Sequence, residues 1–127
     1  MNLLDTDVLI DFLHRNTLAE EFLESLRSEG EILTISAITR MELIQGCRNK
    51  REMSVILDIL KKFRLIYINE RISQKAIDLM ENYNLSHRLL IPDAIIASTA
   101  ITMDLELYSR NIRHFSIIEI LKVSKPY

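Results

Sequence analysis

The sequence predicts an α/β domain in which a central parallel sheet of about four to five short strands is flanked by about six to seven helices. The first sign is alternation: apolar runs of strand length, beginning with Leu3-Leu4, are separated by stretches whose apolar residues recur at helical spacing. Strands joined through helices pair in parallel by right-handed crossovers, with both faces of the sheet covered. The second sign is size and composition. A chain of 127 residues makes one domain, 1–127, and buries about two-thirds of the surface its unfolded form would expose. Two glycines and two prolines leave little room for linkers and favour helices.

Taken in order, Leu3 and Leu4 run straight into Asp5 and read as a buried strand that ends at a carboxylate; Val8, Leu9 and Phe12 then carry a short helix to about Leu13. Thr17, with Glu20 three residues on, has the form of a capping box and opens a helix with Leu18, Phe22, Leu23 and Leu26 on one face and Gly30 after it. Glu31 to Ile35 is the second strand. Ser36 caps the next helix, whose apolar face is Ala37, Ile38, Met41, Ile44 and Cys47, with Glu42 beside that face. Gly46 and the basic Arg48, Lys50 and Arg51 mark a break before an amphipathic helix of Met53, Ile56, Leu57, Leu60 and Phe63. Leu65 to Ile68 is the third strand, and Asn69 caps a helix carrying Ile72, Ala76, Ile77, Met80 and Tyr83, with a polar loop from Asn84 to Arg88. Pro92 to Ile101 is apolar nearly all round, so this helix is buried on most sides, and Ala94, Ala97 and Ala100 let it approach a sheet closely. Leu105 to Ser109 is a fourth strand, Arg110 to Phe115 a turn or short helix, Ser116 to Ile120 a fifth strand, and Ser124 to Tyr127 a frayed tail.

A net charge of −2 advertises no general nucleic-acid or membrane binder, so any polyanion has to be held by a local basic patch. Cys47, the one cysteine, excludes an internal disulfide and reads as a small buried hydrophobe. Asp5 and Asp7 interrupt any signal-peptide core, and no apolar run approaches the roughly 20 residues of a membrane helix. A cytoplasmic protein with no membrane partner is expected.

In parallel sheets ligands bind beyond the carboxyl ends of the strands, where strand order reverses. Asp5 ends one strand there and Asn111 lies just past another. A helix that follows a strand starts at that same end, which brings Glu42 in a second turn and Asp93 in a first turn to the same place. Each has a plainer role available: Asp5 as a helix cap, Glu42 as a solvated glutamate, Asp93 as a favourable charge at a helix N-terminus. Their occurrence together points instead to a metal site. Clustered carboxylates repel unless a cation compensates, and a hard divalent ion, Mg²⁺ or Mn²⁺, takes oxygen ligands and activates water against phosphodiesters. Asp7 is close enough to Asp5 to matter secondarily, Asp11 belongs to the first helix, and Asp104 is structural. His14, His87 and His114 lack metal-ligand spacing.

The stretches Leu3-Leu4-Asp5-Thr6-Asp7-Val8-Leu9-Ile10, Ser36-Ala37-Ile38-Thr39-Arg40-Met41-Glu42-Leu43-Ile44-Gln45-Gly46 and Pro92-Asp93-Ala94-Ile95-Ile96-Ala97 resemble the PIN-domain family, and within it the small VapC-type toxins of toxin–antitoxin pairs. The resemblance spans essentially the whole chain. It implies a metal-dependent endoribonuclease with Asp5, Glu42 and Asp93 as the acidic triad and Thr6 helping to hold a ligand or water. The family's fourth acid sits in a Thr-x-Asp-x-x-Phe-like segment; the match here, Ser109 to Phe115, has neutral Asn111 at that place, which removes a negative charge and puts a second metal in doubt. It also implies a homodimer, a cognate antitoxin whose segment blocks the acidic cleft, and a structured RNA substrate of the tRNA or rRNA kind. Arg40, Arg110, Arg113 and His114 border the acidic end and are the candidates for contacting RNA. Few aromatics are free to stack on bases, which favours recognition of RNA shape.

Two other classes compete. Asp5-Thr6-Asp7-Val8-Leu9 also resembles the first motif of haloacid-dehalogenase-type phosphatases, with Asp5 as nucleophile and Asp7 as acid/base; the short chain and the lack of a late lysine motif argue against it. A non-catalytic PIN-like binding module has no reason to keep mutually repelling acids.

Overall fold

The computed structural model describes all 127 residues, from Met1 to Tyr127. In chain order the elements are β1 (Asn2–Leu4), α1 (Thr6–Leu13), α2 (Thr17–Ser28), β2 (Thr34–Ser36), α3 (Ala37–Gln45), α4 (Lys50–Leu60), β3 (Arg64–Ile66), α5 (Glu70–His87), α6 (Ile91–Met103), β4 (Glu106–Tyr108), α7 (Ile112–Phe115) and β5 (Val123–Ser124). All strand pairs are parallel: Leu3 lies opposite Leu107, Leu107 opposite Val123, and Ile35 opposite Leu65. The α/β architecture is the one the alternating pattern predicts.

Backbone pairing divides the sheet into a three-strand part, β1-β4-β5, and a two-strand part, β2-β3. The join is a side chain. Asn2, buried in β1, donates from Nδ2 to the Ile32 carbonyl (2.9 Å) and to Glu31 (2.9 Å), while its Oδ1 accepts from the Thr34 amide (3.1 Å). An amide side chain supplies both donor and acceptor, so it mimics the peptide group missing from the ladder. The layered order is therefore β3-β2-β1-β4-β5, and direction along the sheet reverses at β1, so the ligand crevice lies past Leu4.

Side-chain alternation in the strands separates two cores. Leu3 points into one formed with α5 and α6 and capped by Phe115 and Ile118; Leu4 points into the other, with Val8, Leu9, Leu23, Ile35, Leu43 and Phe63. Each fully buried leucine contributes about 1.5–3 kcal/mol relative to exposure. On α6, Ala94, Ala97 and Ala100 are all buried, and their small size lets this helix lie close against α5 and the sheet. No helix is long and apolar enough to cross a membrane.

Several local expectations give way to tertiary context. The N-cap of α2 is Asn16, whose Oδ1 accepts from the Ala19 amide, and Glu20 pairs with Arg15 rather than closing a capping box on Thr17. In α3 the core face is Thr39 and Leu43, while Met41 is 51% exposed. The polar stretch 84–87 is the last turn of α5, which ends at Arg88 in a left-handed cap. Ser116 to Ile120 is not a strand: Ile118 and Leu121 sit in successive turns, and the fifth strand is Val123–Ser124. Nor is the tail frayed, because Tyr127 is hydrogen-bonded to Asp11.

Candidate active site

Asp5 is the centre of the site. It continues the β1–β4 ladder by one residue, its amide donating to the Tyr108 carbonyl (3.0 Å), and then caps α1, with Oδ1 accepting from the Thr6 amide (2.8 Å). The cap role and the site role thus coexist in one carboxylate. Its other oxygen, Oδ2, accepts from the buried Ser109 hydroxyl at 2.7 Å. The register explains this contact, since Leu4 lies opposite Tyr108 and the next residue on each strand is Asp5 and Ser109. Asp5 is only 7% exposed and has no basic partner. Burial, and next the negative charge of Asp7, push its pKa up to about 7, with Asp93 adding a smaller rise against the two hydrogen bonds.

Glu42 reaches the same end of the sheet through Thr6. The Thr6 hydroxyl donates to Glu42 Oε1 (2.7 Å) and lies 3.0 Å from the hydroxyl of buried Thr39, so α3 and the start of α1 are stitched together at the carboxylate. Asp93, at the third position of α6, is close enough to Asp5 for their charges to repel, and its Oδ2 is 3.5 Å from His114 Nδ1. Asn111 enters through its backbone: its amide donates to Ser109 Oγ (2.9 Å), which links the loop after β4 to Asp5, while its side chain is free of hydrogen bonds in the protein. Asp7 turns to the same loop, Oδ2 accepting from the Arg110 amide (3.1 Å), while Oδ1 is buried without a partner; its pKa is raised mainly by burial.

Of the basic candidates, Arg113 and His114 are exposed on α7 and Arg40 is half-buried on α3, none of the three paired with a carboxylate except His114 with Asp93. Arg110 is committed elsewhere, its guanidinium 2.8 Å from Asp11. The residue that motif reading passes over is Ser109. Its position directly after a strand in the segment matched to Thr-x-Asp-x-x-Phe was the available signal.

His114 apart, the groups gathered at this end offer oxygen, the donor set of a hard divalent cation. No three His, Cys, Asp or Glu side chains stand at the mutual distances of a complete protein-only cage. A Mg²⁺-type ion needs less: one or two carboxylates, with water filling the remaining positions. A buried carboxylate without a cationic neighbour, facing a second carboxylate, fits that requirement.

The family model described as PIN domain matches residues 3–120. Ribonuclease VapC10 of Mycobacterium tuberculosis is 39% identical over 123 residues, covering 96% of this chain and 91% of that protein. Ribonuclease VapC19 of the same species is 31% identical over 128 residues and covers both chains in full. A solved toxin–antitoxin complex from Klebsiella pneumoniae superimposes with a TM-score of 0.83 at 32% identity, over 100% of this chain and 98% of that one.

Proposed function

Because the chain belongs to the PIN-domain family and is an endoribonuclease of the VapC kind, the toxin of a toxin–antitoxin system, we propose that Asp5, Glu42 and Asp93 are the acids that carry its chemistry, with Asn111 in the fourth place. VapC ribonucleases with this domain are generally metal-dependent; here Asp5, Asp93 and Glu42 are the residues that would hold a hard divalent cation, Mg²⁺ or Mn²⁺. When bound, the cation supplies a water of lowered pKa and offsets the charge that grows on the phosphate. The observation that carries this assignment is the burial of Asp5 between two hydrogen-bond donors with no counter-charge, in electrostatic reach of Asp93.

The chain's own groups prepare that chemistry. Ser109 and the Thr6 amide fix both oxygens of Asp5 and favour its anionic form against burial. Thr6 holds one Glu42 oxygen and leaves the other available. Arg113, His114 and Arg40 are the proposed contacts to RNA phosphates, and a structured RNA of the tRNA or rRNA kind is the proposed substrate, cut to leave a 5′-phosphate and a 3′-hydroxyl. Arg110 serves the loop rather than the substrate.

A cognate antitoxin is the proposed regulator. A groove of about 680 Å³ is lined by Ile10, Leu13, Val55 and Ile56 together with Arg48, Arg51 and Glu42, so an amphipathic segment lying in it would touch one of the proposed acids. A second copy is proposed to cover the apolar surface that Met41, Leu90 and Ile91 leave exposed near Pro92, and the protein to act in the cytoplasm. The family assignment removes the aspartyl-phosphate alternative. The test is cleavage of a structured RNA in Mg²⁺ or Mn²⁺, abolished by chelator and by Asp5→Asn or Asp93→Asn; cleavage that survives both would sink the acid-site reading, as would a cyclic phosphate on the products.

A further inference from the structure

Outside the acidic crevice, Asp11, Arg110 and Tyr127 form a second cluster that the chemistry above leaves without a role. One oxygen, Asp11 Oδ2, accepts from both the Arg110 guanidinium (2.8 Å) and the Tyr127 hydroxyl (2.6 Å). The guanidinium carbon lies 5.8 Å from the centre of the Tyr127 ring, within cation–π range. That ring packs edge-on against Phe22 at 6.2 Å, and Phe22 in turn against Tyr108 at 4.9 Å. The first two helices, α1 and α2, and the distant end of β4 are thereby tied to a residue beyond β5.

The cluster bears directly on the site because Arg110 stands between Ser109 and Asn111. Residues 109–111 are held on one side by Ser109 on Asp5 and by the Arg110 amide on Asp7, and on the other by the guanidinium on Asp11. Tyr127 meets the last of these bonds directly, its hydroxyl and ring fixing Asp11 and the guanidinium together, and reaches the other two through the three-residue backbone they share. Burial and the Asp11 carboxylate hold the Tyr127 hydroxyl in its protonated, donating form.

We propose that Tyr127 is a positioning residue for RNA cleavage: through Asp11 and Arg110 it fixes the 109–111 segment, and so the Ser109–Asp5 hydrogen bond and the placement of Asn111. It touches neither substrate nor metal. The role rests on the nuclease reading of the acidic site.

The test compares wild type, Tyr127→Phe, Asp11→Ala and the double variant on a structured RNA in Mg²⁺, together with amide spectra of the proteins without metal and RNA. Tyr127→Phe keeps the ring and loses one hydrogen bond. It lowers kcat about five- to tenfold with KM within about twofold, leaves the melting temperature within about 2 °C, and moves the Asn111 amide resonance in the metal-free spectrum. The double variant falls no further than Asp11→Ala alone, because both act through one contact. Tyr67→Phe, on an exposed tyrosine at the opposite end of the layered order, keeps wild-type kcat. An unchanged kcat with an unmoved Asn111 amide in Tyr127→Phe overturns the proposal, and so does a kcat that falls only as far as the folded fraction. A wild type that cuts no RNA with either metal overturns the nuclease reading itself, and the proposal with it.

Discussion

Replacing Asp5 with Asn should make the metal-free protein more stable, by an amount that grows with pH. The Asp5 carboxyl has its pKa raised from 3.8 to about 7. A raised acid pKa means that the folded state holds a proton the unfolded state has already released, so stability is lost as pH climbs from about 4 to about 7 and stays low above that. A rise of about three units, at about 1.36 kcal/mol per unit, corresponds to at most about 4 kcal/mol. Asn lacks the charge but must place its own N–H₂ next to the Ser109 hydroxyl, which costs about 1–2 kcal/mol of that gain. A net advantage of about 2 kcal/mol above pH 7 is left, and for a domain of this size it raises the melting temperature by about 5–8 °C. The assay is thermal unfolding of wild type and Asp5→Asn in chelator at pH 4.5 and pH 8. The advantage should be small at the lower pH and full at the higher, and Mg²⁺ should close the gap by stabilising wild type alone. Equal melting temperatures at pH 8, or a gap that does not change with pH, would refute the claim that Asp5 is a buried anion awaiting a cation.

Other substitutions test neighbouring parts of the structure. Asn2→Leu removes three hydrogen bonds at the seam between the two sheet parts and takes the Asn2 acceptor from the buried Thr34 amide, while the Ile32 carbonyl keeps the Thr34 hydroxyl; a loss of about 2–3 kcal/mol is expected in urea unfolding at pH 7. Thr6→Val keeps the volume but frees Glu42, and calorimetry should find Mg²⁺ or Mn²⁺ bound about three- to tenfold more weakly with the fold intact. Asn111→Asp restores the acid that the family's pattern carries, and metal titration should show equal or tighter binding; clear weakening would place Asn111 outside the site.

How much of this was readable beforehand depends on how local each interaction is. The proposed places of Asp5 and Glu42 were legible because β1 runs into α1 and β2 into α3 through adjacent residues, and parallel topology sends such junctions to one end; Asp93 differs, since α6 follows α5 rather than a strand, and only the tertiary fold brings it within charge range of Asp5. Ser109 was not legible, since its bond to Asp5 joins residues 104 positions apart and becomes visible only once β1 and β4 are in register. The run Ile117, Ile118 and Ile120 imitates a strand by composition, yet Ile118 plugs a core from within a turn and Ile120 is exposed, so packing overrode β propensity. Asn84 and Ser86 read as loop because both favour turns, but α5 continues through them to a left-handed cap. Tyr127 looked dispensable because nothing in its immediate neighbours announces a partner in α1.

The pairing of β1 with β4 also sets when the enzyme comes into being. During synthesis the first strand emerges almost at once, but the serine that steadies its carboxylate is made more than a hundred residues later. Until that distant piece is made, the Asp5 carboxylate lacks the Ser109 hydroxyl, so the hydrogen bonds of the crevice close only when nearly the whole chain exists.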